Sequence, residues 1–193
     1  NFNVTKVRWK FDRDESVNGA YNSSFSLNQE QASLVHNMAK ELKVSADTIF
    51  LFVYLKTLSY FNNNADITVG LVVNNRLEKD KGDELLGLFL NVIPFRLNLD
   101  NKINDKAELL KVFNKKLELK QYQNLPYGFM KSLFKQELYD FMFNFVHFHI
   151  LKESSENIKF VDGYERVNIP FTLNVSQYKD LGFDVQMSVH DDY

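Results

Sequence analysis

Residues Asp66 to Leu99 read DITVGLVVNNRLEKDKGDELLGLFLNVIPFRLNL, and this stretch decides the fold. Ile67 to Val73 is a short apolar run rich in β-branched residues, with Gly70 inside it. Such a run suits a strand covered on both faces, as in a sheet flanked by helices. Asn74 and Asn75 end it, because Asn tolerates turn conformations. Arg76 to Glu84 forms a mixed-charge loop containing Gly82. Gly87 then supplies either a positive φ or a close backbone approach. Leu88 to Leu99 resumes as a strand. Pro94 within it donates no ladder hydrogen bond, which predicts an edge strand or a bulge.

The segment Gly87-Leu-Phe89-Leu-Asn91-Val-Ile-Pro94-Phe-Arg96 resembles the G-x-F-V-N-T-x-P-x-R motif of condensation domains of nonribosomal peptide synthetases. Gly70-Leu-Val-Val-Asn-Asn-Arg76 resembles the G-T-P-x-x-G-R segment that precedes it, and the gap from Arg76 to Gly87 is similar to the family's. Val92 stands where Thr is usual, and Asn75 where Gly is usual. The likeness continues on both sides. VSADTIFLFVYLKTL resembles a V-T-x-x-x-x-L-L-A-A helix, with Ser45 in the Thr place. Gln121 to Tyr127 resembles H-Q-D-x-P-F-E: Gln123 and Pro126 match, and Tyr127 replaces Phe. Asn124 and Gly128 replace Asp and Glu there. Met142-Phe143-Asn144 matches part of a P-L-F-x-V-M-F-N run.

Composition bounds the rest. The 193 residues are 45% hydrophobic and 25% charged, and 18 are Phe. That suits one domain, or one lobe of a larger one, with a sizeable core. A net charge of −2 offers no footprint for nucleic acid, and no basic cluster marks a membrane surface. No apolar run is long enough to span a bilayer. The absence of cysteine removes disulfide and thiolate chemistry and fits a reducing, cytoplasmic setting. The chain begins with Asn and reads as an excerpt from a longer polypeptide.

The flanking segments supply helices and further strands. Thr5 to Lys10 reads as an edge strand or linker, and Ser23 to Leu27 as a short strand. Asn28 with Gln31 forms a capping box, followed by apolar residues at Ala32, Val35, Met38, Ala39 and Leu42 on one helical face. Ser45 caps a second helix, apolar nearly all round, to Phe61. Its Phe-rich stripe reads as core or as the wall of an acyl tunnel. Asp105 with Glu108 is a second capping-box match, ahead of Leu109, Leu110, Phe113, Leu117 and Leu119. Pro126 starts a helix that turns Phe129, Leu133 and Phe134 inward. Phe141 to Ile150 reads as a strand, and Phe171–Val175 with Phe183–Val189 as a hairpin around Lys179-Asp180. The expected architecture is α/β: a mixed sheet of 67–73, 92–99, 141–150, 171–175 and 183–189, with helices near 28–42 and 45–61 packed on it.

The resemblance carries further expectations. The family fold is a chloramphenicol-acetyltransferase-like sandwich of two lobes with a tunnel between them. A H-H-x-x-x-D-G motif in the N-terminal lobe supplies a histidine that orients or deprotonates the acceptor amine. This sequence has His36, His147, His149 and His190, none in such a motif. Residues 1–193 therefore resemble a single C-terminal lobe, inactive without its partner lobe. By that resemblance the domain is an acyltransferase, forming amide bonds between carrier-bound aminoacyl or peptidyl thioesters. The cofactor implied is the 4'-phosphopantetheine of the carriers, none being bound by this chain. The partners implied are the N-terminal lobe, peptidyl carrier proteins and an adjacent adenylation domain. A docking or silent lobe, another acyltransferase and an epimerisation domain are the alternatives.

The site residues singled out are Gly70, Arg76, Gly87, Phe89, Asn91, Pro94, Arg96, Gln123 and Pro126, as motif and tunnel-lining positions. Asn91 and Arg96 have a second, structural reading: Asn91 satisfies a turn, and Arg96 pairs with a carboxylate. His147 and His149 share one strand face, and with His190 or Asp191 they form a metal-ligand pattern that is set aside. No metal, and no catalytic residue within this chain, is expected.

Overall fold

The structure is a computed structural model that describes residues 4–7, 21–76, 86–100, 104–147, 168–178 and 182–190. Its strands are β1 (Tyr21–Ser26), β2 (Asp66–Asn74), β3 (Leu90–Asn98), β4 (Phe141–His147), β5 (Phe171–Gln177) and β6 (Phe183–Val189). Its helices are α1 (Gln29–Leu42), α2 (Ala46–Asn62), α3 (Asp105–Leu119) and α4 (Tyr127–Phe134), with a 3₁₀ turn at Lys120–Tyr122. The strands form one mixed sheet in the order β1-β6-β5-β4-β2-β3. The expected five strands are all in it. β1 joins at one edge, antiparallel to β6.

Strand β2 is antiparallel to β3 and parallel to β4. Its odd residues Ile67, Val69 and Leu71 are buried on the helical side of the sheet. On the other side, Thr68 is fully buried and Gly70 lies under the ring of Tyr139, while in the plane of the sheet the Thr68 N–H donates to Thr5 Oγ1 at 2.7 Å. The strand is thus covered on both faces, as its composition predicts. α2 supplies most of the lid on the helical side. Phe50 and Tyr54, one turn apart, set their rings on Phe145, Phe183, Phe143 and Phe171 from three strands. Phe95, Phe141, Phe143 and Phe183 are fully buried there, each contributing about 1.5–3 kcal/mol by removal from water. Of the Phe-rich stripe, Phe52 is buried and Phe50 packs half-buried on the sheet, while Tyr60 and Phe61 at its end are exposed.

Pro94 falls where an edge strand tolerates it. The ladder bonds Leu99 N→Ala65 O (2.9 Å) and Asn75 N→Phe89 O (2.7 Å) lie on odd-numbered pairs. The even-numbered pair Gly70–Pro94 is therefore a non-hydrogen-bonded one. The missing N–H of Pro94 faces away from β2, and the strand continues without a bulge.

The Asn28–Gln31 capping box forms as read, but several other details differ from the sequence expectations. At α3 the cap is Asn104, whose Oδ1 accepts from Ala107 N at 2.8 Å. Asp105 is instead the first helical residue, and Glu108 is buried with Oε1 accepting from Lys111 at 2.8 Å. Ser45 occupies the N-cap of α2 but bonds Thr48 Oγ1 rather than a backbone N–H. On α4 the inward residue is Met130, while Phe129, Leu133 and Phe134 are exposed. The apolar spacing there marks an outer face. On α3, Leu109 and Val112 are buried and Leu117 is exposed. Residues 4–7 form no strand, and β4 is described to His147. The loops at 77–85 and 152–163, the 179–181 turn, His149 and Asp191 lie outside the described residues.

Candidate functional site

The loop end of the β2–β3 hairpin, where Asn74 faces Leu90, gathers most of the singled-out residues. Asn74 turns the chain out of β2, its Oδ1 accepting from Arg76 N at 2.9 Å, an Asx-type turn. Gly87 has φ +155°, a conformation that side chains with a Cβ disfavour. A Cβ at Gly87 would also sit 3.3 Å from the Phe89 ring. The guanidinium of Arg76 lies over that ring, 4.3 Å from its centroid, a cation–π contact. Gly87 thus lets Phe89 fold back under Arg76.

The next motif residue fastens this end to the α3–α4 connection. Asn91 Nδ2 donates to the main-chain carbonyls of Gln123 and Leu125, both at 2.8 Å. Asn75 Nδ2 donates to the same Gln123 carbonyl at 3.0 Å. Pro126 then takes the N-cap of α4, and its carbonyl accepts from Met130 N at 3.2 Å. Arg76, Gly87, Phe89, Asn91, Gln123 and Pro126 therefore form one assembly. Gln123 also lines a cleft of about 210 Å³ with Ser45, Leu71, Ile93, Phe113, Lys116 and other residues of α3 and β2. Outside the assembly, Leu86 and Leu88 are almost wholly in solvent, and Leu90 is exposed. They make an apolar lip.

Gly70, Pro94 and Arg96 lie elsewhere. Gly70 and Pro94 face each other across the ladder, and a Cβ on Gly70 would be 2.6 Å from the Tyr139 ring. Arg96 is five residues along β3 from Asn91, about 16 Å away, and on the opposite sheet face. Its Nε and Nη2 hold Asp66 Oδ1 and Oδ2 at 2.8 and 2.6 Å. The hydrogen bond to Asp66 pushes the Arg96 pKa up. The structural reading of Arg96 holds: it is the partner of a carboxylate.

Among the described residues the assembly contains a cation, two amides and main-chain carbonyls, groups that can position and hydrogen-bond a ligand. His36 stacks on Phe183 at 4.9 Å and belongs to the β6 half of the sheet. Among the described residues no three His, Cys, Asp or Glu side chains are placed to hold a metal. No helix there is long and apolar enough to cross a membrane. Sequence reasoning missed Asn75 and Tyr139. Asn75 was visible only as a departure from the family's Gly, and the departure adds a donor to the clamp.

Comparison with known proteins places this arrangement. The family model for the condensation domain matches residues 12–191. Tyrocidine synthase 2 of Brevibacillus parabrevis is 27% identical over 171 residues, covering 82% of this chain and 5% of that protein. Surfactin synthase subunit 3 of Bacillus subtilis is 26% identical over 151 residues, covering 75% and 12%. The chain thus spans only a small part of these relatives. Among solved structures, a four-domain nonribosomal peptide synthetase bound to AMP and glycine matches with a TM-score of 0.77 at 13% identity, over 90% of this chain and 15% of that one. The condensation domain of the monacolin K polyketide synthase MokA matches at 0.74 and 18% identity, over 89% and 42%. The X-domain from teicoplanin biosynthesis, also solved in complex with OxyB, matches at 0.74 and 11% identity, over 90% and 42%. Matched by the family model over residues 12–191, nearly the whole length given, this chain belongs to the condensation-domain family.

Proposed function

We propose that the chain is the C-terminal lobe of a condensation domain of a nonribosomal peptide synthetase. In this reading it works with an N-terminal lobe to join carrier-bound aminoacyl and peptidyl groups. The acceptor amine attacks the donor thioester carbonyl, a C–N bond forms, and the carrier thiol leaves. The N-terminal lobe supplies the histidine that takes the amine proton. This lobe supplies a wall and a floor. The observation that carries the reading is the Arg76–Phe89–Asn91–Gln123 assembly with its exposed lip of Leu86, Leu88 and Leu90. Such apolar exposure marks a surface that another body covers. A match to 42% of a solved condensation domain is the share expected of one lobe of two. The 4'-phosphopantetheine arms belong to the carriers, and the adenylation domain is a neighbour in the same synthetase.

A second reading is a binding lobe without catalysis. It is favoured by the composition of the assembly, which among the described residues offers hydrogen-bond donors and carbonyls but no proton-transferring side chain. Reconstitution separates the two. The chain is combined with the N-terminal lobe of its own domain and two loaded carriers, and intact-protein mass spectrometry follows the acceptor. Dipeptidyl acceptor with both lobes, and none with either alone, is the expected result. Product from this chain alone would overturn the lobe assignment, and a two-lobe complex that binds carriers without product would establish the binding reading.

A further inference from the structure

The two edges of the sheet are not alike. At β3 the outward position is held by Pro94, and Arg96 adds a charge; both discourage strand addition. At β1 the sequence is YNSSFS, with neither Pro nor a charged residue, and no strand lies beyond it among the described residues. The bond Leu27 N→Phe183 O at 2.9 Å marks odd-numbered β1 residues as those paired to β6 in the register Tyr21–Val189 to Ser26–Asp184. Ser24 and Ser26 therefore direct their main-chain N–H and C=O groups outward. Between them Phe25 is 56% exposed at the rim of the helical face.

We propose that β1 pairs antiparallel with β1 of a second copy of this chain, about a two-fold axis through Phe25. In this register Ser24 faces the partner's Ser26, and Ser26 the partner's Ser24, giving four main-chain hydrogen bonds. Phe25 meets its own counterpart in the non-hydrogen-bonded position, where opposed side chains approach most closely. The strand is uncharged, so self-pairing brings no like charges together. The guarded β3 edge stops growth, and the assembly closes as a dimer with a continuous twelve-stranded sheet rather than a fibre. The contact is small, so the dimer is weak and concentration-dependent. It does not rest on the condensation reading.

Sedimentation equilibrium over a concentration series tests it. The wild-type average mass rises from that of one chain towards twice that value and no further. Ser24→Pro stays monomeric; its N–H faces outward, so the bonds to β6 survive. Phe25→Lys, which leaves the backbone intact, is also monomeric and stands in should the proline variant not fold. Phe25→Cys, in a chain without cysteine, oxidises to a covalent dimer, while Ser33→Cys on α1 does not. A wild-type monomer at every concentration would overturn the proposal. So would association that persists in Ser24→Pro or Phe25→Lys.

Discussion

Asn91 and Gln123 stand 32 residues apart in the chain, and the Asn91 amide donates to the Gln123 carbonyl at 2.8 Å. The same amide reaches the Leu125 carbonyl. One side chain thus joins the β3 motif to the segment before α4. Asn91→Ala removes both bonds and leaves Gln123 with Asn75 alone. A loss of about 1–3 kcal/mol is expected in urea unfolding, with faster amide exchange at 120–127. Asn91→Asp should cost more than Ala, because it sets a negative charge against two carbonyl oxygens. Equal stability of the Asp and wild-type proteins would show that the clamp is not formed in solution.

Gly70 and Gly87 are glycines for different reasons, and substitution separates them. At Gly70 the obstacle is space. A Cβ would lie 2.6 Å from Tyr139, whose ring is buried and packed 5.3 Å from Tyr127. Gly70→Ala should cost about 1–3 kcal/mol by overpacking, and Tyr139→Ala in the same chain should recover part of that loss. At Gly87 the obstacle is backbone conformation. Gly87→Val should cost about 1–3 kcal/mol, and no substitution at Phe89 should restore it fully. Thermal melts of the two single and two double variants decide the matter.

This difference shows what a sequence can and cannot carry. Gly87 was legible because a turn residue sits between a charged loop and an apolar strand. The sheet was legible because 67–73, 141–147 and 183–189 carry strand composition. Pro94 identified an edge because its chemistry excludes a donor. Gly70 gave no sign of Tyr139, which is remote in sequence and meets it only across the folded sheet. Arg96 carried two readings, a tunnel position by its motif and a carboxylate partner by its chemistry, and nothing in the sequence named the carboxylate. Its partner Asp66 sits near the far end of the hairpin, and only the β2–β3 register brings the two together. The α4 error has the same root. Spacing marks Phe129 and Leu133 as one face, but it does not say which side of the helix meets the sheet.

Buried phenols are expected to lower the stability of the fold at alkaline pH. Burial pushes the Tyr54 pKa well up, its hydroxyl having no hydrogen-bond partner. Burial, then the bond to Glu137, pushes Tyr127 up to about 12, and burial raises Tyr139 as well. A phenol whose folded pKa exceeds its unfolded value of about 10 stabilises the fold fully below pH 10. That contribution is lost as pH rises towards the folded value. Stability should therefore fall from about pH 10 to 12, with these tyrosines ionising only on unfolding in a 295 nm titration. Tyr54→Phe removes an unsatisfied buried hydroxyl. It should be neutral or stabilising by about 1 kcal/mol and should shift the alkaline transition upward.

The exposed lip tests the lobe reading without disturbing the fold. Leu86 and Leu88 gain nothing from burial in this chain, since Leu88 is 88% exposed and Leu86 wholly so. A surface leucine replaced by serine changes stability by about 0.5 kcal/mol or less, so Leu88→Ser should melt with the wild type. If a second lobe covers the lip, Leu88 becomes buried in the complex. A leucine fully buried on association contributes about 1.5–3 kcal/mol, equivalent to roughly 10- to 100-fold in affinity. Titration calorimetry of the chain with the N-terminal lobe of its domain should register that loss for Leu88→Ser. Leu133→Ser on the outer face of α4 is the control for a general effect of lost apolar surface. An unchanged affinity for Leu88→Ser, with a folded protein and a measurable wild-type complex, would move the lobe contact away from the motif end of the hairpin.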